Sequence, residues 1–141
     1  MSSGAYNTGK ALLVGTCPWV TGDIRVLLTT EDYVPDVDHA SVADVTADEL
    51  SGGNYSRRAL AGKTATADMA LDRAALDASD TVFVALEAIA GTPRYAVLYY
   101  EGDGTDAGRP LIAWVDIGSA PDPTGSDYRL QWAATGLGRV V

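Results

Sequence analysis

Asp36 and Asp38, and separately Asp103 and Asp106, are the acids whose spacing in turn-rich sequence comes nearest to a cation site. Calcium takes about six to eight oxygens from flexible loops, and neither pair follows the spacing of a known calcium loop, so both read as solvated loop acids. His39, the only histidine, stands between Asp38 and Ala40-Ser41, which supplies half of a proton relay in order but fixes no second partner; it reads as a polar loop histidine. Cys17, the only cysteine, lies beside Pro18 and Trp19 with no adjacent cation to favour a thiolate, and it reads as half-buried packing. Arg57-Arg58 is the basic pair; it would suit an ion-pair contact with an acidic neighbour, but it reads first as a solvated turn. The three tryptophans and seven tyrosines are the residue types that line carbohydrate sites and protein interfaces. Trp114 and Trp132 fall in predicted strands and read as core, whereas adjacent Tyr99 and Tyr100 must point to opposite faces, so one of them looks outward or to a partner. No nucleophile is paired with a base, no ligand cluster has metal spacing and no loop has a phosphate-binding pattern. The residues therefore predict no catalytic, metal or cofactor site.

Composition narrows the partners. A formal charge of −9 and a pI near 4.3 exclude a nucleic-acid binder of the usual kind, which neutralises phosphates with clustered Lys and Arg. One cysteine cannot close an internal disulfide, and one cysteine with one histidine cannot build a zinc site within the chain. No run reaches the length of a membrane span, and MSSGAYNTGK lacks the apolar segment of a secretory signal, so the expectation is a soluble protein made in the cytoplasm. The 141 residues suit one domain with one core.

The elements that must hold these residues are short strands. Thr81–Ala88, Arg94–Tyr100 and Leu111–Ile117 are rich in branched and aromatic residues and bounded by Gly, Pro or Asp, which predicts a central antiparallel meander. Asp23–Thr30 alternates Ile24, Val26 and Leu28 against Arg25, and Asp127–Trp132 alternates Tyr128, Leu130 and Trp132; both read as strands, with a last edge strand in Leu137–Val141. Lys10–Val14 is a short helix or strand. Glu31 to Glu49 contains seven acids and no Lys or Arg and reads as a long surface excursion, with helical turns at Ser41–Val45 and Thr46–Leu50 capped by Ser41 and Thr46. Tyr55–Ala67, around Gly62, reads as a strand pair or a bulged strand. Met69–Asp77 has helical propensity. Residues 1–9 are small and polar and read as a flexible N-terminal arm, with 10–141 a single domain. The fold expectation is a mainly β, antiparallel sandwich or jelly-roll-like barrel of about seven to nine strands with short helical turns. Its expected core is Ile24, Val26, Leu28, Val82, Val84, Leu86, Ala96, Leu98, Ile112, Trp114, Leu130 and Trp132.

In chain order, DIRVLLTT at Asp23–Thr30, Tyr33, Pro35-Asp36, His39, Asp44-Val45, Glu49, Gly52–Tyr55, Gly62-Lys63-Thr64, Leu76-Asp77-Ala78, Arg94–Val97, Pro110–Gly118 and Gln131-Trp132 through Gly136 form a pattern that resembles a family of small β-rich virion structural proteins of tailed bacteriophages. The resemblance covers most of the chain after the first ten residues; Cys17-Pro18 and the alanine-rich Ala59–Ala78 depart from it. It implies a particle protein with no known chemistry, and a strand rather than a helix over Arg73–Asp77. The expected function is non-enzymatic decoration, or cementing, of the outer capsid surface, with a tail or head-fibre attachment protein and a carbohydrate-binding module as alternatives. The expected partners are the major capsid protein or other virion proteins and further copies of the chain, a trimer being favoured, without nucleic acid or membrane. Tyr6, Asn7, Lys10, Arg57, Arg58, Tyr99 and Tyr100 are the expected interface residues, the arm becoming ordered across the seam between capsid subunits.

Overall fold

The computed structural model describes residues 4–9, 19–52, 54–68, 70, 73–84, 86, 93–117, 125, 127–130, 132 and 138–140. The protein is mainly β, and every strand pair among the described residues is antiparallel. The strands are β1 (Gly4–Ala5), β2 (Ile24–Thr30), β3 (Arg58–Ala59), β4 (Thr64–Asp68), β5 (Arg73–Asp77), β6 (Thr81–Phe83), β7 (Pro93–Tyr100), β8 (Leu111–Asp116), β9 (Tyr128–Leu130) and β10 (Gly138–Val140). They form a five-stranded sheet of order β1-β8-β7-β2-β3, a three-stranded sheet β10-β5-β4 and a ribbon β6-β9.

β2 and β7 dominate the larger sheet because they carry apolar residues on both faces, the pattern of a sheet covered on both sides. Ile24, Val26, Leu28, Ala96, Leu98, Ile112 and Ala113 pack against Phe83, Leu86, Tyr128 and Leu130, so the β6-β9 ribbon closes one face as the second layer of a sandwich. Leu27, Val97, Tyr99 and Leu111 project the other way and meet Tyr6, Tyr33, Val42 and Val45. A bulge makes both sets possible: Leu98 opposes Ala113 and Tyr99 opposes Leu111, so Ile112 is the extra residue and joins Ala113 in the first core.

The second core corrects the expectation of an acidic surface loop. Residues 31–50 lie across the sheet, fastened by the bridges Thr29–Glu49 and Ser41–Pro110 and by Leu50 N donating to Leu28 O at 3.0 Å. Tyr33, Val42 and Val45 supply its buried side, each contributing about 1.5–3 kcal/mol by leaving water. The helical turns are 3-10 turns at Val42–Asp44 and Thr46–Asp48. Ser41 caps the first, whereas Thr46 is the first residue of the second, with Val45 at the cap.

Three further expectations are revised. Among the described residues the meander is the β7-β8 hairpin, since the first predicted strand is seen as Thr81–Phe83 and pairs with β9, Ala85, Glu87 and Ala88 lying outside the described residues. Phe83 therefore takes the inward position; Val82 is half-buried and Val84 is 54% exposed. Trp114 and Trp132 are half-buried flanks, Trp114 against the second core and Trp132 against the first. β3 and β4, on either side of Gly62, pair with β2 and β5 and not with each other.

Over residues 73–77 the chain is strand β5, as the resemblance implies and against helical propensity. Pairing on both sides, with β4 and β10, outweighs the alanine preference. Gly138–Val140 is the expected late edge strand. The expectations at Lys10–Val14, Cys17 and Pro18 lie outside the described residues.

Residues 4–9 differ most from expectation. In place of a flexible arm, β1 pairs with β8, residues 7–9 are helical, and Tyr6 is fully buried. Tyr6 N donates to Ile112 O at 3.1 Å and Asn7 N to Val37 O at 2.8 Å. A methyl group at Gly4 would overlap the Trp114 ring and one at Gly9 the Ile112 backbone, so the segment lies flush on the sheet because these positions have no side chain. No helix among the described residues is long and apolar enough to cross a membrane.

Candidate interaction surfaces

The expected interface residues do not gather into one patch. Arg57, however, anchors a chain of alternating charges. Its guanidinium grips Glu49 through two bonds, Nε to Oε2 at 2.9 Å and Nη2 to Oε1 at 2.7 Å, while Nη1 donates to Asp106 Oδ1 at 2.8 Å. Arg109 donates to the same Asp106 oxygen at 2.7 Å and to Glu101 at 2.6 Å; Arg25 stands 3.3 Å from Glu101 and is paired with Asp23 at 3.0 Å. Tyr55 closes the far end, donating to Glu49 Oε2 at 2.7 Å and accepting from Leu28 N at 3.0 Å.

The network joins the excursion, the segment before β3, the β7-β8 loop and β2. Its electrostatics follow from the pairing. Hydrogen bonds from Arg57, then Arg109, hold the Asp106 carboxyl below the usual carboxylate range, and the Glu49 carboxylate raises the Arg57 guanidinium further. Burial pushes the Tyr55 phenol up, so it remains a hydrogen-bond donor at neutral pH. With each charged group answered by its neighbour, the chemistry available is bracing.

The loop acids are similarly engaged. Asp36 Oδ1 accepts from Asp38 N at 2.9 Å, and Asp38 Oδ1 accepts from Asn7 Nδ2 at 2.8 Å. Asp103 Oδ1 accepts from the amide and hydroxyl of Thr105 at 2.9 and 2.7 Å, which holds its carboxyl low. Asp44 is held low in the same way by the amides of Ala40 and Ser41, at 2.9 and 3.1 Å. Among the described residues, no group of three His, Cys, Asp or Glu side chains converges as metal ligands do.

His39 has a partner that sequence order hid. Its Nδ1 is 3.0 Å from the Tyr33 hydroxyl, which is 2.7 Å from the Tyr6 hydroxyl, and the rings of Tyr33 and His39 stack at 5.7 Å. Burial, then the bond with Tyr33, raises the Tyr6 phenol, so this is a file of neutral hydroxyls ending at a half-buried imidazole.

Tyr6 and Tyr99 are both fully buried and are corrected from interface to core; Tyr99 lies under the Arg57 guanidinium at 5.7 Å. Tyr100 is half-buried against the first core and Arg58 is opposite Val26 in the β2-β3 ladder, while Asn7 is exposed but engaged with Asp38. Lys10 lies outside the described residues.

The surface that sequence reading missed is the exposed segment 34–38, whose residues 37 and 38 bond to Asn7. Val34 is 77% exposed and Val37 43% exposed, flanked by exposed Glu31, Asp32, Asp36 and Asp38. Buried Tyr33 and the Asn7 bonds to residues 37 and 38 fix its base. The signal was present in YVPDVD, where two valines separate acids with no alternation that would turn them inward. No family model matches the chain, and neither a curated protein nor a solved structure matches it.

Proposed function

We propose that the protein is a non-enzymatic structural component of a tailed-phage virion, a decoration protein that cements the outer head surface through contacts with the major capsid protein. The observation that carries this reading is the exposure of Val34 and Val37, apolar side chains held out into solvent in a segment rimmed in sequence by the acids Glu31, Asp32, Asp36 and Asp38. Exposed apolar groups on a fixed base suit a protein partner, and the rim selects one with basic residues around an apolar site. The resemblance supplies the particle, and the charge of −9 supplies the side: packaged DNA repels such a surface, favouring the exterior over the lumen.

The test is binding to heads assembled without the protein. Saturable binding that weakens with salt and is lost in Val34→Asp/Val37→Asp, with the far-ultraviolet spectrum unchanged, is the expected result. Binding only to tails, or a saturable glycan-array signal in place of head binding, would transfer the reading to an attachment protein or a carbohydrate-binding module.

A further inference from the structure

We infer that two copies of the chain join through β4, edge to edge and antiparallel, making the β10-β5-β4 sheets of both into one continuous six-stranded sheet. β4 ends its sheet and its only strand partner among the described residues is β5; at its first residue the Thr64 carbonyl accepts from Trp19 Nε1 at 3.0 Å, which leaves the edge from Ala65 onward for a partner strand. Its five residues run against β5 without a register shift, and Thr64, Ala65 and Thr66 are all exposed, though they alternate between the two faces. TATAD has no proline, no lysine and no bulge to blunt this edge, and its one charge, Asp68, comes at the last residue. The larger sheet ends in the two-residue strands β1 and β3, too short to act as templates.

The sequence of β4 fits its own copy. A two-fold axis at Thr66 sets Thr66 opposite Thr66, Ala65 opposite Ala67 and Thr64 opposite Asp68, so no like charges face each other and only small residues meet. Lys63 and Asp68 leave the segment locally neutral, which lets copies approach here although each carries −9 overall. One strand pair buries little area, so the association belongs in the micromolar range. Salt strengthens it, because screening removes the long-range repulsion and no opposed charges hold the joint, Asp68 facing Thr64. The symmetry is two-fold, where a three-fold was favoured from sequence, and the joint does not depend on which particle the protein serves.

Sedimentation equilibrium with concentration and salt as variables is the first measurement. A dimer forming at micromolar concentration and tightening with salt is expected; a monomer at about 100 µM overturns the inference. Thr66→Lys, which sets two lysines opposite each other, should weaken association at least tenfold with an unchanged far-ultraviolet spectrum, and an unaffected dimer overturns it. Cross-linking then reads the register without relying on loss of binding. In a Cys17→Ser background, Thr66→Cys should oxidise readily to a covalent dimer, since directly opposed residues are about 4.5–5.5 Å apart, within disulfide range. Thr64→Cys, whose copy is displaced four residues along the strand on each side, should not. Efficient cross-linking at 64 and not at 66 contradicts the proposed axis.

Discussion

Arg57 shows what a single side chain contributes here. It holds Glu49 in a fork, shares Asp106 with Arg109 and covers the Tyr99 ring, and both it and Glu49 are largely shielded from solvent. Arg57→Ala leaves Glu49 without its cation and should lower stability by about 2 kcal/mol, less than a fully buried pair because part of the site is wet. Arg57→Lys should recover less than half of that loss, as an ammonium cannot reproduce the fork; urea midpoints of the three proteins measure both. The acids predict a pH dependence. Asp106 and Asp44 are held below their ordinary value in the folded state, so the stability they supply is complete above an unfolded value of about 4 and is lost as pH falls through the depressed folded values. The melting temperature should fall between about pH 4 and pH 2, and less so in Asp106→Asn/Asp44→Asn than in the native protein. A drop of the same size in both would remove these carboxylates from the explanation. Sequence raised an ion pair for Arg57 but favoured a solvated turn, and it could not name Asp106 as a partner, because 49 residues separate them and only the β7-β8 loop brings them together.

Among the elements, the N-terminal segment is the one whose sequence misleads. Small polar residues suggested a free arm, yet Gly4 and Gly9 are small so that Trp114 and Ile112 can touch the backbone, and Tyr6 fills the second core. Tyr6→Ala should therefore destabilise by about 3 kcal/mol, whereas Tyr6→Phe, losing only the bond to Tyr33, should lose about 1 kcal/mol. Gly9→Ala should also lower the melting temperature, and deleting residues 1–9 should compromise the fold itself; a truncated protein as stable as the full chain would restore the arm reading. Strong alternation was legible: β2, β7 and β9 lie where Ile24, Val26, Leu28, Leu98 and Leu130 place them, and those residues are buried. The phase of β6 was not, since TVFV offers apolar residues on both faces and pairing with β9 selects Phe83. Nor did charge counting in residues 31–49 find Tyr33, Val42 and Val45, whose spacing matches neither a strand nor a long helix.

At the scale of the whole molecule, antiparallel strands, charges paired at the surface and a net charge of −9 are the features on which the proposed decoration role rests. The mainly β class was legible from short alternating runs with turns between them. Its division into a five-stranded sheet, a three-stranded sheet and a ribbon was not, because which strands pair is decided by distant segments. Position on a particle separates head decoration from tail attachment, and copy number reads position. Quantitative mass spectrometry of purified particles, with antibody labelling viewed by electron microscopy, should find hundreds of copies distributed over the head shell. A few copies confined to the tail would contradict head decoration.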